Sequence, residues 1–374
     1  MSIEKLPGIT SLTNEYSNFD GIYVANERTR IIEVNVEDEW KNERFEDISD
    51  TIEELMTLGY HGDTSIDLSR KRKSAIDKTN PGTQELMTIL PTLESWLKTV
   101  PTAAALDPIY RPGRSTLPNG IILDDEIKEW FKNIYDAIGI RSRAKVMKDL
   151  IIREVLEREN AQPAQWISLA CGAAQPVVES MVEIEAAGGL LPNVTLVDAD
   201  SSALELAKNY AETQGYGENV RLNRTNVLRR DGITYDRSQG GLFTNAIAAK
   251  LGRLQPESYD MVDAVGILEY LKEEDWKFKY GSVFKTQRKM AGAATFIRNA
   301  FELVKPGGLL VVGNMRDTHP QLGLTINIVQ WPHIQPRSIE TMQGIIQDAG
   351  IDAEIDVYCP TDNVYAIYSL RKPV

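Results

Sequence analysis

The sequence predicts an α/β fold: a doubly wound, seven-stranded, mostly parallel sheet ending in an antiparallel C-terminal hairpin, preceded by a mainly helical N-terminal extension. Three observations predict it. After residue 159, short apolar runs alternate with helical stretches, as parallel strands joined by crossover helices require. The first of these runs ends in a loop of very small residues, Ala170 to Ala174, that opens a helix. The chain closes on two alternating runs, 353–358 and 363–370, split by CPTD and readable as a hairpin.

The bulk numbers agree with a globular protein. The 374 residues suffice for one large domain and a smaller one, and 42% hydrophobic with 25% charged residues is ordinary. No apolar run approaches the ~20 residues that span a bilayer. The N-terminus MSIEKLPGIT has no basic segment followed by an apolar one, so no secretory signal is expected. Two cysteines, Cys171 and Cys359, build no disulfide framework and point to a cytoplasmic setting. The net charge of −13 disfavours a nucleic-acid partner. The three histidines, His61, His319 and His333, show no metal-ligand spacing with the cysteines, so no metal is expected.

Along the chain, the first ~45 residues give a weak signal. Residues 46–58 have apolar positions at helical spacing with acids in the first turn. Residues 70–73 are a basic run, expected as a solvated face. Residues 83–100 look helical with an interruption at Pro91, and 101–120 read as a proline- and glycine-bearing linker. From Asp124 the pattern is firmly helical, and Gly139 reads as the C-terminal glycine separating two helices. The expected boundary lies at residue 120: an extension or cap over 1–120, and over 121–374 a domain in which two helices lead into the sheet.

The strands are expected at 165–170, 194–198, 220–223, 259–265 and 309–313, then the hairpin. Helices are expected at 176–187, 202–213, 285–303 and 339–349. Two inserts, 228–258 and 272–288, would frame a pocket. In such a sheet a ligand binds at the carboxyl ends of the strands. The loop Ser168-Leu169-Ala170-Cys171-Gly172-Ala173-Ala174 is therefore the first candidate, because only small side chains let backbone approach a ligand. Asp198, followed by Ala199, ends the second strand, where a carboxylate can accept both hydroxyls of a ribose. Asp200 is the competing carboxylate, readable equally as a helix N-cap. Asn226 and Val227 follow the third strand, and Gly266-Ile267-Leu268-Glu269-Tyr270-Leu271 the fourth.

These loops, with the Leu303-Val-Lys-Pro-Gly-Gly308 string, resemble class I (Rossmann-like) S-adenosylmethionine-dependent methyltransferases over about residues 144–371. Ser168, Ala170 and Ala174 stand where that family's loop usually has an acid and two glycines, and Asn226 where it often has Asp. The resemblance implies S-adenosyl-L-methionine as cofactor. It implies binding through Ser168, Ala170, Cys171, Gly172, Asp198, Ala199, Asn226, Val227 and Gly266, with the adenine near Asn226 and the methionine end near Gly266. Methyl transfer to O or N needs alignment of the acceptor and a group to take a proton. Glu269, Tyr270 and His319 are the candidates for that step, with His333 behind them. The expected reading is a methyltransferase acting on a small molecule in an enclosed site, with homo-oligomerisation left open. The alternatives are an RNA or protein methyltransferase, transfer of another part of the same cofactor, and a catalytically silent binding protein. NAD is disfavoured because the loop lacks G-x-G-x-x-G spacing.

Overall fold

The computed structural model describes residues 18–26, 28–59, 77–100, 102–118, 120–158, 162–228, 254–279, 287–331 and 334–374. The chain begins with strands β1 (Asn18–Asn26) and β2 (Thr29–Asn35). Helices α1 (Phe45–Leu58), α2 (Pro81–Ile89), α3 (Leu93–Leu97), α4 (Ala103–Tyr110), α5 (Asp125–Asn133) and α6 (Tyr135–Leu156) follow. The alternating part comprises β3 (Gln165–Leu169), α7 (Gln175–Ala186), β4 (Asn193–Asp198), α8 (Ser201–Thr213), β5 (Val220–Arg224) and β6 (Tyr259–Ala264). A small ribbon, β7 (Trp276–Lys279) with β8 (Gln287–Met290), precedes α9 (Ala293–Glu302). The chain ends with β9 (Val304–Met315), α10 (Ile339–Asp348), β10 (Glu354–Pro360) and β11 (Tyr365–Arg371).

The main sheet has the order β1-β2-β10-β11-β9-β6-β3-β4-β5. Strands β9, β6, β3, β4 and β5 run parallel. Strand β11 lies antiparallel between β9 and β10, so the expected hairpin is present. The doubly wound α/β class holds, with helices packed on both faces over two separate cores. The seven expected strands are joined by two more. β2 pairs parallel to β10, Ile31 opposite Val357 and Ile32 opposite Tyr358, and β1 pairs antiparallel to β2. The physical reason is the β-branched run Ile31-Ile32-Glu33-Val34, which buries Ile32 and Val34 completely once β10 offers an edge.

Three local expectations are corrected. Residues 101–120 are not simply a linker, because they contain α4, which carries Pro108 in its second turn at the loss of one backbone bond. Gly139 does not separate helices. The break falls at Ile134, and Gly139 lies inside α6, where a Cβ would overlap Val364. The helix expected from residue 285 starts at Ala293. Gly292 precedes it, its N–H held by Asp275 Oδ1 at 2.9 Å, and the backbone of Glu273 and Glu274 leaves no room there for a side chain.

Helices α4 and α5 pack on α6, and α1 packs on α5 and α2. Arg141 of α6 ties them down: its Nη2 meets Asp38 Oδ2 at 2.6 Å, and its guanidinium donates to the carbonyls of Ile109, Phe131 and Lys132. This charged pair is buried with its donors used, which is the condition for tolerating it. Among the described residues no helix is long and apolar enough to cross a membrane.

Candidate functional site

The loop after β3 is built from left-handed backbone. Ala170, Gly172 and Ala174 have φ of 53°, 56° and 52°. Glycine adopts this conformation freely, while each alanine costs roughly 1–2 kcal/mol in strain. Three anchors hold it. Cys171 N–H donates to Val197 O at 3.1 Å, Ala174 N–H to Cys171 O at 2.9 Å, and Gly172 N–H to Asp198 Oδ2 at 3.0 Å. A Cβ on Gly172 would face only the Ala103 methyl at 3.7 Å, so its constraint is angular, not spatial. The Cys171 thiol is pushed well up by burial and then by Asp198 and Asp263, so it stays neutral.

Asp198 joins two loops. Its Oδ2 receives Gly172 N–H, and its Oδ1 receives Asp200 N–H at 2.9 Å. A carboxylate offers about four lone-pair sites, so acceptor capacity remains. Asp200 has a different job: its carboxylate caps α8 by accepting Ser202 N–H at 2.9 Å. Ala199 is exposed beside them. Asn226 Oδ1 accepts Leu228 N–H at 2.9 Å, and Val227 is buried next to it.

Ser168 lies beneath the loop, buried within the sheet. Its hydroxyl donates to Asp263 Oδ1 at 2.9 Å, and Trp166 Nε1 donates to Asp263 Oδ2 at 2.7 Å. Burial pushes the Asp263 carboxyl up to about 7 against the pull of those two donors. The sequence reading missed Asp263. Its only signal was a second acid inside the apolar run YDMVDAV, opposite Ser168 in register.

After β6, Gly266 and Val265 are half-buried, and a short turn at Leu268–Tyr270 follows. Arg337 braces this turn through the Leu268 and Leu271 carbonyls and Asn314, and Gln335 N–H donates to Glu269 O at 2.7 Å. The Glu269 side chain is 2% exposed at residue level and pairs with Arg143 of α6, Nη1 to Oε1 at 3.1 Å. Burial raises the Glu269 carboxyl while Arg143 opposes it. Arg143 stacks on the Tyr365 ring at 4.4 Å. Burial works against its charge, but Tyr365, Tyr110 and Glu269 overcome that and hold it protonated. The Tyr270 hydroxyl accepts Trp331 Nε1–H at 2.7 Å, and burial, then Glu269, raises it.

His319 is deeper. Its side chain is 0% exposed, its Nδ1 accepts Gln321 N–H at 2.9 Å, and its Nε2 lies 3.4 Å from Asp136 Oδ1. Asp136 Oδ2 accepts Thr325 Oγ1–H at 2.6 Å. Asp136 and Thr325 form the polar wall of a cavity of about 30 Å³ among Trp96, Trp130, Phe131 and Trp331. A larger cavity of about 320 Å³ lies at the opposite end of the sheet, around Val155, Ala164 and Gly188. His333, the basic run 70–73 and most of the first insert fall outside the described residues. Among the described residues no cluster of three or more metal-ligating side chains occurs.

No protein-family model matches the chain, and no curated protein matches it at significance. Solved structures do. One is described as a "possible exported protein" from Bordetella parapertussis, at 15% identity and TM-score 0.55, over 88% of this chain and 96% of that one. The likeness shows a shared fold: the chain has a Rossmann-like α/β architecture, a largely parallel sheet with an antiparallel C-terminal strand. Two further likenesses are weaker. The citrinin polyketide synthase CMeT domain gives 14% identity and TM-score 0.48, over 91% of this chain and 81% of that one. An O-methyltransferase family protein from Burkholderia thailandensis gives 16% identity and TM-score 0.40, over 88% and 84%. At these identities the likeness concerns the fold alone.

Proposed function

We propose that this chain binds S-adenosylmethionine across the carboxyl ends of β3, β4, β5 and β6 and transfers its methyl group to an O or N atom of a small molecule. The observation that carries the reading is the bond from Gly172 N–H to Asp198, which draws the left-handed loop and the strand-end carboxylate into one cradle. The residues present fit the group. The Gly172 backbone is crowded only by the Ala103 methyl, Asp198 has acceptor capacity beyond its two backbone partners, and Val265 and Gly266 are half-buried.

In this reading the backbone of Ala170, Cys171 and Gly172 passes along the cofactor, and Asp198 with Ala199 takes the ribose hydroxyls. Asn226 and Val227 hold the adenine, and Gly266 flanks the amino-acid end. Ser168 acts from below, by fixing Asp263. When bound, the cofactor supplies an electrophilic methyl on sulfur. The chain's own work is to align the acceptor and take its proton. Tyr270, its oxygen accepting from Trp331, would hold the acceptor by donating its own O–H, and Asp136, with His319 Nε2 3.4 Å away, would take the acceptor's proton. The tryptophans wall off a cavity of about 30 Å³ beside Asp136, room for a water-sized group. A cytoplasmic setting belongs to the same proposal, supported by Cys171 and Cys359 both being unpaired. A silent binding protein is the second reading, favoured by the burial of Glu269 and His319.

Titration calorimetry tests the cofactor: the two sulfur nucleosides should bind and NAD should give no signal. The opposite result ends the proposal. Methyl transfer to a panel of hydroxylated and aminated small molecules then separates enzyme from silent binder.

A further inference from the structure

The larger cavity lies at the end of the sheet away from the cradle, and the proposed reaction makes no use of it. Its volume of about 320 Å³ is in the range of small-molecule sites. Val155 and Leu156 of α6, Ala164 and the exposed Leu190 give it apolar walls. Ala164 directly precedes β3, whose other end carries the left-handed loop. At about 3.3 Å per residue, that strand keeps the two places roughly 15–20 Å apart.

One wall is explained by the end of a helix. Gly188 has φ of 75°, its N–H returns to Glu185 O at 2.9 Å, and Gly189 N–H returns to Ile184 O at 2.8 Å, which closes α7 as glycine commonly does. Arg158 is not explained that way. It lines the cavity, and its Nη1 meets Asp260 Oδ1 at 3.0 Å. Lys305 Nζ reaches the same oxygen at 3.0 Å, and Gln165 N–H donates to Oδ2 at 2.7 Å. Burial works against the Asp260 charge, and these three donors overcome it, so the carboxylate stays ionised. One carboxylate thus serves two cations, and a positive charge is left in surplus. Among the described residues Arg158 Nε is buried with no hydrogen-bond partner. A charged donor left unmade is costly, so its place on a cavity wall asks for an acceptor. One surplus charge and one spare donor beside apolar walls match a monoanion with a small hydrocarbon body. A dianion suits the place less, because the facing wall is the carboxyl end of α7, where the helix dipole is negative.

We infer that this cavity is a second ligand site, for a small aliphatic carboxylate. Its carboxylate bonds to Arg158, and its hydrocarbon lies along Leu156, Ala164 and Leu190. The site shares no residue with the cradle and does not depend on the cofactor reading.

The test titrates isovalerate into the full chain by calorimetry, with isoamyl alcohol as the same body without charge and inorganic phosphate as an anion without a body. Isovalerate should bind saturably and about tenfold or more tighter than the alcohol, as one charge-assisted bond requires, and tighter than phosphate. Arg158→Met should weaken isovalerate by about tenfold and leave the alcohol unchanged, with Lys305 and Gln165 still holding Asp260. Thermal melting reports whether it folds. If it does not, Leu190→Glu at the exposed rim should cost isovalerate about tenfold through like charge. Asp198→Ala should leave isovalerate affinity as it is. Absence of saturation, equal affinity for the alcohol, tighter binding of phosphate, or a folded variant at Arg158 or Leu190 that binds as the wild type does overturns the inference. Loss of isovalerate binding in Asp198→Ala overturns it too, by placing the carboxylate in the cradle.

Discussion

At the scale of single residues, the site turns on which carboxylate does what. Asp198 and Asp200 are two positions apart, and the sequence alone leaves both open. The structure divides the work: Asp200 caps α8, and Asp198 bridges the loop after β3 to its own strand end. Asp198→Ala should therefore weaken binding of the sulfur nucleoside by roughly 1.5–3 kcal/mol, the range for hydrogen bonds to a charged group. Asp200→Ala should cost about 1 kcal/mol of stability through the lost cap and less in affinity. Calorimetry beside urea unfolding checks both, and the reverse ranking would place the ribose contact on Asp200. Asp263 gives a pH signature. Its folded carboxyl stands near 7 against an ordinary 3.8, so the native state holds a proton that the unfolded chain releases. The stability this group contributes is whole below about pH 4 and is lost as pH rises through about 7. Between pH 5 and 8 the wild type should lose on the order of 2 kcal/mol more than Asp263→Asn does. Parallel losses in urea titrations would show that Asp263 ionises normally.

At the scale of elements, helix and strand identities after residue 159 were legible because hydrophobic period separates the two. Strands β3, β4, β5 and β6 and helices α7, α8 and α10 fall within a residue or two of expectation. Gly139 and Gly292 were not legible, because a glycine has no side chain to announce its reason. Gly139 reads as a helix end, yet it lies inside α6 because Val364 of the C-terminal region presses on that turn. Two outcomes for Gly139→Ala follow from the two readings. At an open helical site alanine gains about 1 kcal/mol over glycine. Against Val364 it should instead lose about 1–3 kcal/mol by overpacking, a fall in Tm that differential scanning would show. Arg143 and Asp136, both on α6, were missed for a related reason. Helical spacing marks a charged residue as surface, and only the packing of α6 against the turn after β6 reveals these groups as buried partners.

At the scale of the whole molecule, the N-terminal segment is part of the sheet as well as a cover for it. β2 shields β10, whose residues Ile355 and Val357 are buried. Removal of residues 1–36 should leave β10 as a bare apolar edge, lowering Tm and promoting aggregation measurable by light scattering; a monomeric, equally stable truncation would show that β1 and β2 are ornamental. The amino-acid sequence by itself determined the alternating α/β order, the C-terminal hairpin, the small-residue loop and the carboxylate at the end of β4. Each depends on local period or on residue size, which a linear chain displays. Tertiary structure alone decided the strand added from the N-terminus, the left-handed backbone of Ala170 and Ala174, and the buried Arg143–Glu269 pair. Those features depend on contacts between residues far apart in the chain, where an edge, a neighbouring carbonyl or a partner charge selects a conformation that local preference would refuse.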